Sequence, residues 1–169
     1  LYNGLTAFQT KALTHINMLT FAKMKKKKYS IENILSNFKI DALNEMQLAS
    51  IEANKKEADV ILLSATGSGK TLAFLLPILD LLDEENKNTQ ALIVVPSREL
   101  AIQIEQVFRT MSTGYKVTCC YGGHKRETEE NNLVEPPALI IGTPGRLCDH
   151  IRRGNITVDS IEVLVLDEF

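Results

Sequence analysis

Two four-residue runs, Leu92-Ile93-Val94-Val95 and Val163-Leu164-Val165-Leu166, are apolar at every position. A strand with one wet face alternates polar and apolar residues, so an unbroken apolar run describes a strand covered on both faces, as in a parallel sheet between helices. Strands are therefore expected at 91–95 and 163–166, and further β-branched or apolar runs place others at 60–64, 117–121 and 138–142. Helical patterns fall between and before them, at 31–37, 44–55, 70–84, 98–112 and 144–153. Such alternation predicts an α/β fold with a doubly wound, mostly parallel sheet, helices on both faces and ligands at the carboxyl ends of the strands. Local chemistry supports these borders. Asn44 and Thr143 are expected helix N-caps, Pro144 suits a first helical position, and Gly154 follows the basic turn Arg152-Arg153. Pro77 lies inside a helical run and predicts a kink there.

The run at 60–64 leads into Ser64-Ala65-Thr66-Gly67-Ser68-Gly69-Lys70-Thr71 and then into helix. Apart from Ser64, which stands where a first glycine is usual, this is a phosphate-binding loop pattern in its strand–loop–helix setting. Gly67 and Gly69 let successive amides face one anion, and the helix adds its positive end. Lys70 would reach the β- and γ-phosphates of ATP, and Thr71 would ligate Mg2+. The plain alternative is a Gly/Ser-rich turn before an amphipathic helix. A second half of the site lies at Asp167-Glu168, where the last apolar run ends in two acids. The first acid would hold Mg2+ through water, and the second would polarise the attacking water. Alone, two acids at a strand end are usually just solvated. Behind a phosphate loop they point to ATP hydrolysis, with Lys70, Asp167 and Glu168 as the catalytic group.

Further segments occur in an order that resembles the DEAD-box RNA helicases, from about residue 29 to 169. Pro96-Ser97-Arg98-Glu99-Leu100-Ala101 resembles the family's Pro-Thr-Arg-Glu-Leu segment, and Gly122-Gly123 its glycine doublet. Thr143-Pro144-Gly145-Arg146-Leu147 matches its Thr-Pro-Gly-Arg segment, Gln47 resembles the glutamine that reads adenine, and Asp167-Glu168 the start of the Asp-Glu-Ala-Asp box. The resemblance implies a RecA-like P-loop NTPase domain, the first of two, incomplete at its C-terminus. It implies ATP and Mg2+ as ligands, with Gln47, Ala65, Thr66, Gly67, Ser68, Gly69, Lys70 and Thr71 at the nucleotide and Thr71 and Asp167 at the metal. It further implies that Pro96, Ser97, Arg98, Gly122, Gly123, Thr143, Gly145 and Arg146 track the backbone of single-stranded or partly duplex RNA. Helix N-termini and a glycine turn present amides to phosphates without reading sequence. For Ser97 and Thr143 the plain reading is helix capping, and for Arg98-Glu99 an ion pair.

The sequence departs from the family pattern where Leu43-Asn44 replaces its Pro-Thr ahead of the glutamine, and where Phe169 follows Asp167-Glu168 in place of Ala. An aromatic that stacks near the base would be Tyr29, Phe21 or Phe38. Two rivals stay open: a DNA helicase of the same superfamily, and an ATP-gated RNA clamp or scaffold. The arginine fingers expected of a second RecA-like domain lie outside this chain, so 1–169 alone is expected to hydrolyse ATP negligibly.

The net charge of −2 gives no global pull toward nucleic acid, so contact must be local, at Lys25–Lys28, Lys125-Arg126, or Arg146 with Arg152-Arg153. Of the three cysteines, Cys119 and Cys120 are adjacent in a strand and point to opposite faces, which argues against a shared metal or a disulfide framework. No apolar stretch approaches a membrane span, and a cytoplasmic location is expected. Residues 1–28, with Met24 inside them, read as an N-terminal extension, disordered or foreign to the natural chain. Residues 29–169 read as part of one domain belonging to a longer protein.

Overall fold

The structure is a computed structural model that describes residues 29–56, 59–123 and 125–168. The extension 1–28, with Phe21 and Lys25–Lys28, lies outside the described residues, as does Phe169. Helices α1 (Ile31–Phe38), α2 (Glu45–Lys56) and α3 (Lys70–Leu81) precede β1 (Ala91–Val94). Then come α4 (Arg98–Thr110), β2 (Val117–Cys120), α5 (Arg126–Leu133), β3 (Leu139–Gly142), α6 (Pro144–Arg152) and β4 (Val163–Leu166). The strands form one four-stranded sheet in the order β2-β3-β1-β4, with every pairing parallel.

The alternating side chains of these strands feed two cores. Ala91, Ile93, Leu139, Ile141 and Val117 face α1, α3 and α4 and pack with Ile34, Leu75, Ile78, Ile104 and Phe108. Leu92, Ile140 and Cys120 face the other way, onto Leu133 of α5, Leu147 of α6 and Ile156. Cys119 and Cys120 do point to opposite faces, and both thiols are free. Among the described residues no helix is long and apolar enough to cross a membrane.

Two expectations need correction. Residues 60–64 form no strand: Ile61 is 87% and Leu63 88% exposed. Apolar character makes a segment fit to pair, but pairing needs a neighbouring strand edge, and no described strand lies beside this one. The second concerns β4, expected to be covered on both faces. Val163 and Val165 are half-buried, whereas Leu164 and Leu166 are 60% and 57% exposed. These two share the face of Leu92 and Val94, where α5 and α6 cover the sheet nearer β2 and β3.

Pro77, where a kink is expected, lies inside α3, which continues past it to Leu81. Proline has no N–H to give the carbonyl four residues back, here that of Ala73. The Ser50 hydroxyl, from α2, donates to the Ala73 carbonyl at 2.7 Å instead. Ser50 and Ala73 are both buried, so a carbonyl that would otherwise be orphaned keeps a partner.

Candidate nucleotide site and nucleic-acid rim

The strand register brings four chain segments to one level. Cys120 pairs with Gly142, Gly142 with Val94, and Val94 with Leu166, so all four strands end in a single row. Past that row the backbone ladder continues by one rung: Thr143 N–H to the Cys120 carbonyl, Val95 N–H to Gly142, and Asp167 N–H to Val94, at 3.0–3.1 Å. The segments that follow the strands therefore share one edge of the sheet, as the doubly wound reading requires. Gly142 permits the close approach. A Cβ there would collide with the Cys120 carbonyl oxygen and lie 2.8 Å from Leu147 Cδ2.

The loop 64–69 turns at Gly67 and Gly69, with φ of 79° and 88°, a region that side chains other than glycine's seldom enter. Its turn is closed by the Ser68 N–H on the Ala65 carbonyl at 3.3 Å. Ser64 Oγ and Ser68 Oγ bond each other at 2.6 Å, so Ser64 adds a cross-brace where a first glycine is usual. The Lys70 ammonium donates to the Ser64 carbonyl at 3.0 Å, folding across the loop mouth. Ala65, Thr66 and Gly67 are exposed, while Ser68, Gly69, Lys70 and Thr71 are half-buried.

Helix α2 grips this loop from outside. Asn44 Oδ1 accepts the Gln47 N–H, and Gln47 Oε1 accepts the Asn44 N–H, both at 2.9 Å, a reciprocal capping box. Asn44 is thus the expected N-cap. The remaining donors of both amides go to the loop: Asn44 Nδ2 to the Ser68 carbonyl at 2.9 Å and Gln47 Nε2 to Gly69 at 3.2 Å. Gln47 is only 4% exposed, so both ends of its carboxamide are engaged within the protein. Of the candidate stacking aromatics, Tyr29 donates to Asp80 Oδ1 at 3.2 Å and Phe38 packs on the core.

Asp167 and Glu168 follow β4 directly. Burial, and then the charge of Glu168, hold the Asp167 carboxyl above the usual carboxylate range, while the Lys70 ammonium pulls it down. The Lys70 charge is thus felt at Asp167, which favours a single site for the loop and the acids. Glu168 adopts φ 58°, the left-handed region, at the point where the chain leaves the sheet.

The rim lies along the same edge. Ser97 caps α4 by accepting the Leu100 N–H at 3.2 Å, and Pro96 is exposed beside it. Arg98 and Glu99 form the expected exposed ion pair at 2.6 Å. Gly123, at φ 97°, faces Arg98, whose Nη1 would lie 3.3 Å from any Cβ placed there. Thr143 occupies the N-cap of α6, but its side chain makes no capping bond, contrary to expectation. Pro144 sets the first helical φ, and the Thr143 carbonyl accepts the Leu147 N–H at 3.0 Å. Gly145 is open to solvent.

Arg146 turns inward: its side chain is 13% exposed, and its Nε donates to the Tyr121 carbonyl at 3.1 Å. The basic residues Arg126 and Arg153 both pair with Asp149, at 3.0 and 2.9 Å, which spends part of the expected positive patch internally. Beneath the rim lies a group that sequence reasoning missed, namely Glu129, His150 and Cys120, all buried and with ligating atoms within 4.8 Å of one another. Glu129 belongs to α5, a polar helix without apolar period, and nothing local marks it.

A sequence profile of the DEAD/DEAH box helicases matches residues 44–169. The chain is similar to the ATP-dependent RNA helicase DeaD of Buchnera aphidicola from Acyrthosiphon pisum, 39% identical over 79% of this chain and 24% of that one. The protein of the same name from Escherichia coli K12 is 42% identical over 65% of this chain and 18% of that one. Of the solved structures, the yeast DEAD-box splicing factor Prp28 superposes with a TM-score of 0.71 at 30% identity, covering 80% of this chain and 34% of that one. A hypothetical ATP-dependent RNA helicase from Sulfolobus tokodaii follows at 0.69 and 29%, covering 81% and 41%. The chain thus spans a quarter or less of the curated relatives just named. With a profile match over most of its length and an α/β core that superposes on these domains, the chain belongs to the DEAD/DEAH box helicase family.

Proposed function

We propose that this chain holds ATP and the backbone of single-stranded RNA as the first RecA-like domain of an ATP-dependent RNA helicase. The observation that carries the reading is the shared edge: four strands ending in one row, from which the paired acids and three amide-presenting turns grow, with the Lys70 charge of the phosphate loop felt at Asp167. The names of the relatives point the same way.

In this reading the amides of 65–69 and the Lys70 ammonium take the phosphates, with Lys70 exchanging the Ser64 carbonyl for phosphate oxygen. The donor set also fits Mg2+. The Thr71 hydroxyl lies one residue past Lys70, and Asp167 carries a carboxylate whose ionised form is disfavoured by burial and by Glu168, which a dication would relieve. When bound, Mg2+ would neutralise charge on the β- and γ-phosphates. Glu168 would orient and polarise the attacking water. Gln47 would read adenine by trading the Gly69 carbonyl for the base edge, so that occupation of the base site loosens one tie on the phosphate loop. Across the edge, the Ser97, Gly122–Gly123 and Gly145 backbones, with Pro96, Arg98, Thr143 and Arg146, would follow successive RNA phosphates irrespective of sequence. A second RecA-like domain would complete the clefts and supply arginine fingers.

The test is turnover against binding in the full-length protein. Lys70→Ala or Glu168→Gln is expected to lower ATP turnover by roughly 10²–10³ while RNA affinity survives. Unchanged turnover in both variants refutes the nucleotide site. Equal stimulation by single-stranded DNA and RNA of one length refutes the choice of RNA.

A further inference from the structure

The Glu129 side chain is 2% exposed. Burying a carboxylate costs several kcal/mol, roughly, unless partners surround it, so its partners show what the fold gains. Oε1 accepts the Tyr121 N–H at 2.9 Å. Oε2 lies 2.6 Å from His150 Nε2, inside a ring that is fully buried, and 3.4 Å from Arg146 Nε. The Arg146 Nε closes the circuit by donating to the Tyr121 carbonyl. Both polar groups of the Tyr121 backbone are therefore held, one by Glu129 and one by Arg146. Tyr121 is the residue between the end of β2 and the Gly122–Gly123 turn, and Arg146 is in the first turn of α6. One buried carboxylate thus links two of the three segments that form the rim.

The protonation pattern suits a positioning role better than metal binding. The Asn155 amide nitrogen lies 3.1 Å from His150 Nδ1 and 3.4 Å from Glu130 Oε1, an arrangement in which it donates to both. Donation to Nδ1 puts the ring proton on Nε2, aimed at Glu129, and withdraws Nε2 as a metal ligand. Arg146 adds a positive charge where a cation would have to sit. We infer that Glu129, backed by His150, is a positioning residue for RNA: it fixes the Tyr121 peptide and Arg146, and so presents the Gly122–Gly123 turn and the N-terminus of α6 to the RNA backbone in one fixed geometry.

This rests on the RNA reading above, so the experiment carries its own reference. In the full-length protein, ATP turnover is titrated with a short single-stranded oligouridylate, alongside thermal unfolding and the KM for ATP. Arg98→Ala, a change at an exposed rim side chain outside the buried group, serves as the reference. The expected result is that Glu129→Leu raises the RNA concentration for half-maximal stimulation by roughly three- to tenfold, the size of a lost charge-assisted contact. The KM for ATP and RNA-free turnover stay unchanged, and Glu129→Gln, which keeps an acceptor for the Tyr121 N–H, recovers part of the loss. In an Arg146→Ala background the Glu129 effect should shrink, because the two act on one peptide. If Arg98→Ala leaves the titration unmoved, the RNA reading fails. If Arg98→Ala weakens RNA binding while Glu129→Leu lowers only the unfolding temperature, or shifts ATP and RNA equally, Glu129 is an ordinary core residue and the inference is overturned. A rise in unfolding temperature on adding zinc, lost in Glu129→Gln, would overturn it in favour of a metal site.

Discussion

The phosphate loop 64–69 leaves an unpaired stretch whose Ile61 and Leu63 face solvent, and side chains from α2 hold it in place. The rim segments after β1, β2 and β3 grow out of paired strands, and a buried carboxylate ties two of them from beneath. Both regions are proposed to offer backbone amides to phosphate, but the ties differ in kind. Those on the loop end on carbonyls beside the proposed ligand and can be exchanged for it. Those under the rim are made within the protein, by the buried Glu129 carboxylate and by Arg146 on the Tyr121 peptide. The contrast implies a loop that adapts to its nucleotide and a rim built in advance for its strand.

Several substitutions would break or sharpen that contrast. The largest effect is expected under the rim. Gly142→Ala drives a Cβ into the Cys120 carbonyl and Leu147, neither of which can swing away, and should cost about 3 kcal/mol or more in urea unfolding. A cost below 1 kcal/mol, roughly, would mean the rim is as adaptable as the loop. Next is Ser50→Ala, which strands the buried Ala73 carbonyl and should cost about 2 kcal/mol. In a Pro77→Ala background, where residue 77 regains an N–H for that carbonyl, the cost of Ser50→Ala should shrink markedly. Additive costs in the double-mutant cycle would refute the substitution of hydroxyl for amide.

Gly69→Ala should cost less stability, about 1–2 kcal/mol from its left-handed φ, because the atom in the way is the movable Gln47 amide. Its main effect should be on nucleotide affinity, read by titration with a fluorescent ATP analogue. At neutral pH the smallest effect concerns the thiol below the rim. Burial and the nearby Glu129 charge push Cys120 from 9.0 up to about 12. The folded state therefore keeps a proton that the unfolded chain releases above pH 9, and stability falls as pH rises from there toward 12. Iodoacetamide at pH 8, followed by mass spectrometry, should label exposed Cys148 and spare Cys120. Early labelling of Cys120 would show that the rim opens.

The parallel sheet was legible because its strands are short apolar runs, and the candidate site residues stood out because glycines, a lysine and two acids occur at fixed offsets. What was not legible is relational. The run at 60–64 has the composition of a strand, yet pairing is decided by a neighbour distant in sequence. Helix α5 has a polar sequence whose inward residues are Glu129 and Leu133, so no apolar period announces it. Glu129 and His150 stand 21 positions apart and meet only because α5 and α6 pack against one face of the sheet. Gln47 was visible as a site residue, but its burial and its grip on Gly69 were not, since they depend on the packing of α2 against α3. Proline at 77 is marked by a local rule, but the hydroxyl from another helix that meets the carbonyl it leaves unpaired is not.

That hydroxyl has a mechanical consequence. Helix α3 begins at the phosphate loop, and α2 carries Gln47 one turn before Ser50. Since the Ala73 carbonyl of α3 is satisfied from α2, sliding the two helices past each other would strand a buried carbonyl in the middle of α3. A displacement at Gln47, one turn before Ser50, should therefore pull on the helix that begins at the proposed phosphate loop.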